Sequence, residues 1–252
     1  MSLGIAFEGC AGRAAFHVGV VQGLHEIGLR PDCVAGASSG SIVAAFVAAG
    51  RGDTIAADWL AAAGGRVLRP EMLLEGRWPW RMSDIVGEVL EQAFGDLRLP
   101  SLPLPVAIPI TILEGGRRRR RVLTRDDDVS LVDAVLGSCF VPGPYSRPVR
   151  FGSQVAFDGA WLMRTPVDSA FELGASRVLA VLGHADGRLR AGYPFMRTLP
   201  TPADTRLLHP AAPLELGGYD TDPARLRAAI ASGRDALQRF AERHREWLIQ
   251  AS

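Results

Sequence analysis

The chain has 252 residues, 48% of them hydrophobic, and its 28 basic and 27 acidic residues leave a net charge of +1. That length suits one α/β domain with a full core, and the near-neutral balance offers no global attraction to nucleic acid. All 28 basic residues are arginine, and lysine and asparagine are both absent, which excludes Schiff-base chemistry, a Walker lysine, a Ser-Lys dyad and N-glycosylation.

Leu3–Phe7 reads as a short buried strand and Glu8–Ala14 as a small-residue loop. Ala15–Ile27 reads as a helix, with Phe16, Gly19, Val20, Gly23, Leu24 and Ile27 at helical spacing and Gly28 as its stop. Pro31-Asp32 leads into a strand, Cys33–Gly36, and Gly36-Ala37-Ser38-Ser39-Gly40 then opens an Ala/Val helix ending near Gly50. Gly-x-Ser-x-Gly between a strand and a helix is the setting of a nucleophile elbow, so Ser38 is the candidate nucleophile. Gly36 and Gly40 follow from the turn, which a Cβ would crowd. The helix N-terminus behind Ser38 favours the negative charge of acyl transfer.

The loop before the first helix has two readings. A dinucleotide turn wants glycine at positions one, three and six, whereas this chain offers Gly9, Ala11 and Ala14, with no acidic residue closing the second strand. The favoured reading is an oxyanion hole, in which backbone N–H groups of Gly9, Cys10, Ala11, Gly12 and Arg13 face a tetrahedral oxyanion. Cys10 is read as a small filler of a tight turn rather than an oxidisable thiol.

Residues 53–64 and 83–95 look helical. Glu71–Met82 between them does not. It is apolar, holds Trp78 and Trp80, and is flanked by arginine, so it suits a lid or a lipid-touching surface; the favoured reading packs its tryptophans on the sheet. Val106–Leu113, Glu114-Gly115-Gly116 and Arg119–Thr124 form a β-hairpin. Its run Arg117–Arg121 suits anionic headgroups, although Asp126–Asp128 follow at once and a neutralised, solvated hairpin end is favoured.

Ser130–Phe140 is a helix ended by Pro142-Gly143-Pro144. Gln154–Phe157 is a strand into Asp158-Gly159-Ala160, and Thr165-Pro166 supplies a cap and a first-turn proline for the next helix. Arg177–Leu182 is a buried strand, Gly183–Gly218 has no assigned structure, and Asp222-Pro223 opens an amphipathic helix running to about Ile249. An Asp-Gly pair after a strand is commonly a plain turn. Asp158 stands out because it and Ser38 both end candidate strands, and the ends of parallel strands share one rim. A Ser-His-Asp triad through His184 or His209 is the rival, but that fold needs several strands before its elbow. His17 is expected to pack at the start of its helix, and His25 and His244 to be exposed. Three cysteines without metal-like spacing suit reduced thiols in a cytoplasm, and no 18-residue apolar span or leader is evident, which suits a soluble, uncleaved chain.

Together these residues resemble the patatin-like phospholipase family. The resemblance runs in order through the Gly9–Ala14 loop, Ala15–Val20, Gly36-x-Ser38-x-Gly40, Ser138–Gly143, Asp158-Gly159-Ala160, Pro166-Val167 and Leu173-Gly174-Ala175, and covers most of residues 3–182. It implies an α/β fold, a three-layer α/β/α sandwich with a mostly parallel central sheet, filling 1–252 as a single domain. It also implies a Ser-Asp dyad that hydrolyses acyl esters of phospholipids or simpler lipids without histidine, metal or cofactor. Ser38 is then the nucleophile and Asp158 the base, with a pKa that burial must raise. The acyl-enzyme is released by water or passed to another alcohol. The expected setting is cytoplasmic, with a lipid or ester substrate, peripheral membrane contact and no nucleic-acid partner. One departure matters. The family loop reads Gly-Gly-Gly-x-Arg-Gly, and only Gly9 and Arg13 match it here. If the replaced glycines need positive φ, the donors point elsewhere at a cost of about 1–2 kcal/mol. That motivates a second reading, a catalytically weak lipid-binding or regulatory protein of the same fold.

Overall fold

The computed structural model describes residues 2–193 and 196–249, with side chains of the last helix as far as Leu248. Eight strands make one sheet: β1 (Leu3–Phe7), β2 (Cys33–Gly36), β3 (Val106–Glu114), β4 (Arg117–Leu123), β5 (Arg150–Phe151), β6 (Gln154–Phe157), β7 (Arg177–Val181) and β8 (Thr205–Leu208). Their order is β5-β6-β3-β2-β1-β7-β8, with β4 also on β3. The run β3-β2-β1-β7-β8 is parallel. Strands β4 and β6 are antiparallel to β3, and β5 to β6. The helices are α1 (Ala15–Glu26), α2 (Ser39–Ala48), α3 (Ile55–Ala61), α4 (Met82–Phe94), α5 (Leu131–Cys139), α6 (Val167–Glu172) and α7 (Pro223–Ile249).

The period-2 pleat divides each buried strand between two faces. Leu3, Ile5 and Phe7 of β1, Val34 of β2 and Leu179 and Val181 of β7 join the larger core, under α1, α2, α4, α5 and α7. The intervening Ala6, Cys33, Ala35 and Ala180 face α6 in a smaller one. Small residues belong there because α6 and its following turn pack close: a Cβ on Gly4 would lie 2.8 Å from that of Ala175. Helices on both faces make this a mixed α/β sheet of three layers. Helix α7 seats on α1 backbone to backbone. A Cβ on Gly19 would come within 1.8 Å of the Ile230 carbonyl oxygen, and one on Gly233 within 1.9 Å of the Phe16 oxygen.

Several boundaries differ from expectation. Helix α3 spans only Ile55–Ala61, and Pro70–Glu75 adds a 3₁₀ turn. Strand β8 lies inside the stretch to which the sequence assigns no structure, because Thr205–Leu208 is too short and too mixed in polarity to stand out in a Pro/Gly-rich region. Thr165 does not cap α6; Pro166 holds the N-cap position and the Thr165 hydroxyl has no partner among the described residues. Helix α7 is capped as its sequence suggests, since the Asp222 carboxylate accepts from the N–H groups of Ala224 and Arg225. His244 is half-buried rather than exposed, at a kink in α7.

Strand β3 positions the site. A strand has two hydrogen-bonding edges, and β4 takes one of them from Ile108 to Glu114. The other holds β2 beside Val106 and Ala107, and β6 beside Thr111 and Ile112. Since β2 is parallel and β6 antiparallel to β3, the two run toward each other and their C-terminal ends meet across a short gap. Pro109 lies in that gap. A proline inside a paired strand would forfeit a ladder bond, but here its missing N–H faces the space between β2 and β6.

Candidate active site

Ser38 and Asp158 leave β2 and β6 on the two sides of this gap, and the Ser38 Oγ donates to Asp158 Oδ2 at 2.6 Å. The two do not end parallel strands on a shared rim as expected: β6 is antiparallel to β3, and the ends of β2 and β6 face each other rather than lying side by side. Ser38 has φ 51° and ψ −130°, a conformation that costs a non-glycine residue energy and that the surroundings must enforce. Its N–H donates to Ser138 Oγ at 3.0 Å, and that hydroxyl donates in turn to the Pro109 oxygen at 2.7 Å. The elbow glycines are needed for close approach. A Cβ on Gly36 would lie 2.2 Å from the Gly40 oxygen, and one on Gly40 2.4 Å from the Phe7 oxygen at the end of β1.

Asp158 is only 5% exposed. Its Oδ1 accepts from the Ala160 N–H at 2.8 Å, while its own N–H donates to the Phe140 oxygen and its carbonyl accepts from Thr111 Oγ1. Burial pushes the carboxyl from its ordinary 3.8 up to about 7, against the opposing pull of the Ser38 and Ala160 donors. Gly159 fits because a Cβ there would sit 2.0 Å from the Pro109 oxygen. Ala160 closes against Gly9, whose own Cβ would come within 2.7 Å of it.

Most amides of the Gly9–Arg13 loop are already bonded. Gly9 N–H donates to the Arg164 oxygen, Cys10 N–H to Ser39 Oγ, Gly12 N–H to the Gly218 oxygen and Arg13 N–H to the Cys10 oxygen. Among the described residues, the N–H groups of Ala11 and Ser39 have no protein acceptor. Ala11 has φ 53°. The replaced glycine position thus takes the left-handed conformation itself, at about 1–2 kcal/mol. Gly12 is glycine because a Cβ would lie 2.6 Å from the Gly217 oxygen.

Cys10 is buried, and burial, with Glu8 nearby, pushes its thiol well above the ordinary range, as suits an inert filler. All three cysteines are free and buried. His17 is fully buried, with Nε2 3.7 Å from the Cys10 Sγ, and burial lowers it to about 3. His184 meets the Arg164 guanidinium and His209 meets the Pro210 carbonyl; neither is bonded to Ser38 or Asp158. No group of three metal-ligating side chains occurs among the described residues.

The two aromatics of the Glu71–Met82 stretch do not pack on the sheet. Trp78 is exposed and donates from Nε1 to the Gly143 oxygen at 2.7 Å, and Trp80 stacks edge-on against Tyr219. The short stretch buries only Met72 and Pro79, too little depth to bring its indoles down to the sheet. Nor does the aspartate triplet neutralise the arginine run as a block. Asp127 pairs with Arg121 and Asp128 with Arg98, whereas Arg120 pairs with Glu172 and Arg118 lies over the Trp161 ring at 4.9 Å. The cause is register: β4 alternates the arginines between faces, so one triplet cannot reach them all.

Beside Ser38 and Asp158 opens an apolar cavity of about 360 Å³, walled by Ile42, Trp59, Val86, Leu90, Tyr145 and Leu226 among others. The sequence model of the patatin-like phospholipases matches residues 5–171, more than half of the chain. The chain belongs to this family. Its fold is similar to that of VipD from Legionella pneumophila, with a TM-score of 0.57 at 12% identity over 96% of this chain and 67% of VipD. The type III effector protein ExoU matches 98% of this chain and 53% of its own length, at 16% identity and a TM-score of 0.49. Membership in the patatin-like phospholipases supports lipid acyl hydrolysis as the activity. Among the described residues, no helix is long and apolar enough to cross a membrane.

Three contributors to this patatin-like site are not among the site residues expected from sequence. Ser138 carries the amide of Ser38, although in the sequence it is one small residue in a helix stripe. The Ser39 amide follows directly from the elbow, since the residue after a nucleophile sits at the helix N-terminus. Glu8 and Arg164, each 1% exposed, form an ion pair at 2.7 Å behind the loop, with Glu8 also accepting from the Gly183 N–H. A carboxylate at the end of an apolar strand was the available signal for that pair.

Proposed function

We propose that this patatin-like protein is a serine hydrolase of lipid acyl esters working through Ser38 and Asp158. The observation that carries the reading is the 2.6 Å hydrogen bond from Ser38 Oγ to a buried carboxylate beside an apolar cavity that admits an acyl chain. Ser38 Oγ attacks the ester carbonyl carbon while its proton passes to Asp158 Oδ2. A carboxylate is ordinarily too weak a base for this step, and one raised to about 7 is better matched to it. The carbonyl oxygen becomes an oxyanion directed at the unoccupied N–H groups of Ala11 and Ser39, at the positive end of α2. As the tetrahedral species collapses, the ester C–O bond breaks and the leaving alcohol takes the proton from Asp158. Water then attacks the acyl-Ser38 carbonyl with Asp158 again as base, freeing the acid and restoring the serine.

The loop change that motivated a weakly catalytic lipid binder loses force, because Ala11 takes the left-handed conformation that keeps the loop in place. The chain acts as one domain in this reading, with the α7–α1 contact tying its ends together. Fluorophosphonate labelling tests it: covalent modification is expected on the wild-type chain and absent from Ser38→Ala. Unlabelled wild-type protein that nevertheless binds lipid would favour the binder.

A further inference from the structure

Ten large hydrophobic side chains are exposed among the described residues, and they are not scattered. Ile27 closes α1, and the other nine line the cavity or lie on segments that touch its lining residues. Tyr193 and Tyr219 line the mouth itself. Leu162 follows Trp161, another lining residue, and Met196 contacts the Arg164 guanidinium that covers the Tyr193 ring. Leu113 stands opposite Arg118 in the hairpin, and Arg118 covers Trp161.

The remaining four belong to a single excursion. Leu68 pairs with Trp80 at its base, where Val67 and Met82 line the cavity and Trp80 packs on Tyr219. Between them the chain carries Leu73 and Leu74 outward, 59% and 93% exposed, together with Trp78 at 52%. Isolated exposed leucines need no explanation, but a set of large apolar side chains on the segments that lead to one cavity, here its rim, does.

We infer that this rim is the surface by which the protein docks on an anionic lipid bilayer, with Leu73, Leu74 and Trp78 entering the interface. The chemistry favours lipid over a protein partner on two counts. Tryptophan, tyrosine and leucine beside arginine is the composition of an interfacial surface, and Arg118, which lies over the lining residue Trp161, has no carboxylate partner among the described residues. Tyr193 and Tyr219 of this set also line the apolar cavity itself, so a lipid leaving the bilayer there would have apolar surface to follow toward Ser38. This inference rests on the lipid-ester reading of the site for its choice of partner.

Docking and chemistry separate in one set of measurements on the full chain, using vesicles of phosphatidylcholine with or without phosphatidylglycerol and a soluble short-chain ester. The double variant Leu73→Glu/Leu74→Glu alters two exposed side chains outside the cavity. Its vesicle partitioning is expected to fall at least about tenfold, given the apolar area withdrawn, and hydrolysis of vesicle-borne lipid to fall with it. Soluble-ester hydrolysis stays unchanged. A polarity-sensitive dye on Leu74→Cys, with the three native cysteines buried, is expected to shift blue on phosphatidylglycerol vesicles, in the Ser38→Ala background as well. Undiminished vesicle binding by the double variant, or a dye that does not respond to vesicles, would overturn the docking surface while leaving the hydrolase standing. Concentration-dependent self-association lost in the double variant, with no vesicle binding by wild type, would overturn it in favour of a protein interface. Vesicle binding through the rim without ester hydrolysis would support the surface and remove the enzyme.

Discussion

Replacing Asp158 by asparagine should abolish ester hydrolysis and, at neutral pH, stabilise the fold. The carboxyl is held at about 7 in the folded chain against 3.8 when free, chiefly because burial penalises its charge. Between those values the folded state holds a proton that the unfolded state has released, so stability falls as pH rises through the window and falls no further above it. At 1.36 kcal/mol per pH unit the full cost is about 4 kcal/mol, and local hydration reduces it, so the expected difference is about 2–4 kcal/mol. Asparagine keeps an acceptor for the Ala160 N–H and never ionises, so it escapes the cost. Urea unfolding of Asp158→Asn and wild type at pH 8 should differ by that amount. In a chain of this size it corresponds to roughly 5–15 °C in Tm. Near pH 4, where the free carboxyl is itself half protonated, the difference should shrink below about 1 kcal/mol. Using the pH dependence of the difference cancels every other titrating group common to both chains. A constant offset between pH 4 and pH 8 would refute the claim that the site holds Asp158 at a raised pKa.

The same carboxyl sets the rate profile: kcat/KM for a soluble ester is expected to rise about tenfold per pH unit below about 7 and level off above it, since only the ionised form takes a proton from Ser38. His184→Ala and His209→Ala are expected to retain hydrolysis under assays in which Ser38→Ala has none; an inactive histidine variant would restore the triad. Ala11→Gly removes the penalty of φ 53° at a small cost in unfolded-chain entropy, so urea unfolding should show a gain of up to about 1 kcal/mol with activity kept. Gly233→Val places a side chain where even a Cβ would be 1.9 Å from the Phe16 oxygen, and should cost more than about 3 kcal/mol or prevent folding, read by thermal unfolding.

What is legible in the sequence follows the strength of local signals. Strand β1, helix α1, the elbow and α2 each announce themselves by periodicity and glycine placement, and their boundaries fall within a residue or two of expectation. The hairpin is equally plain, because Gly115 and Gly116 both take positive φ as a tight turn requires. The antiparallel sense of β6 is not readable, since no residue in Gln154–Phe157 encodes the direction of a neighbour; β3 overshoots β2 by seven residues and offers the edge. For the same reason motif order anticipates the pairing of Ser38 with Asp158, whereas its geometry depends on how far β2 and β6 each run along β3. Ser138 stays hidden because its role depends on the Pro109 carbonyl, which is left free only once β2 and β6 have both stopped short of it.

The distribution of backbone strain favours the same location for chemistry. Only three non-glycine residues among those described have positive φ: Ala11, Ser38 and Met196. Two of them present the groups assigned to the oxyanion and to nucleophilic attack, and the third contacts the Arg164 guanidinium. Asp158, hydrogen-bonded to Ser38, adds an electrostatic penalty that mutation to a neutral side chain would relieve. Each of these costs is on the order of 1–4 kcal/mol, a substantial fraction of what a domain has to lose. A fold selected for stability alone would put glycine at 11 and an uncharged side chain at 158, both of which the sheet accommodates. Their concentration within one cavity, opposed by an otherwise well-packed two-faced core, is what a site held ready for acyl transfer looks like in energetic terms.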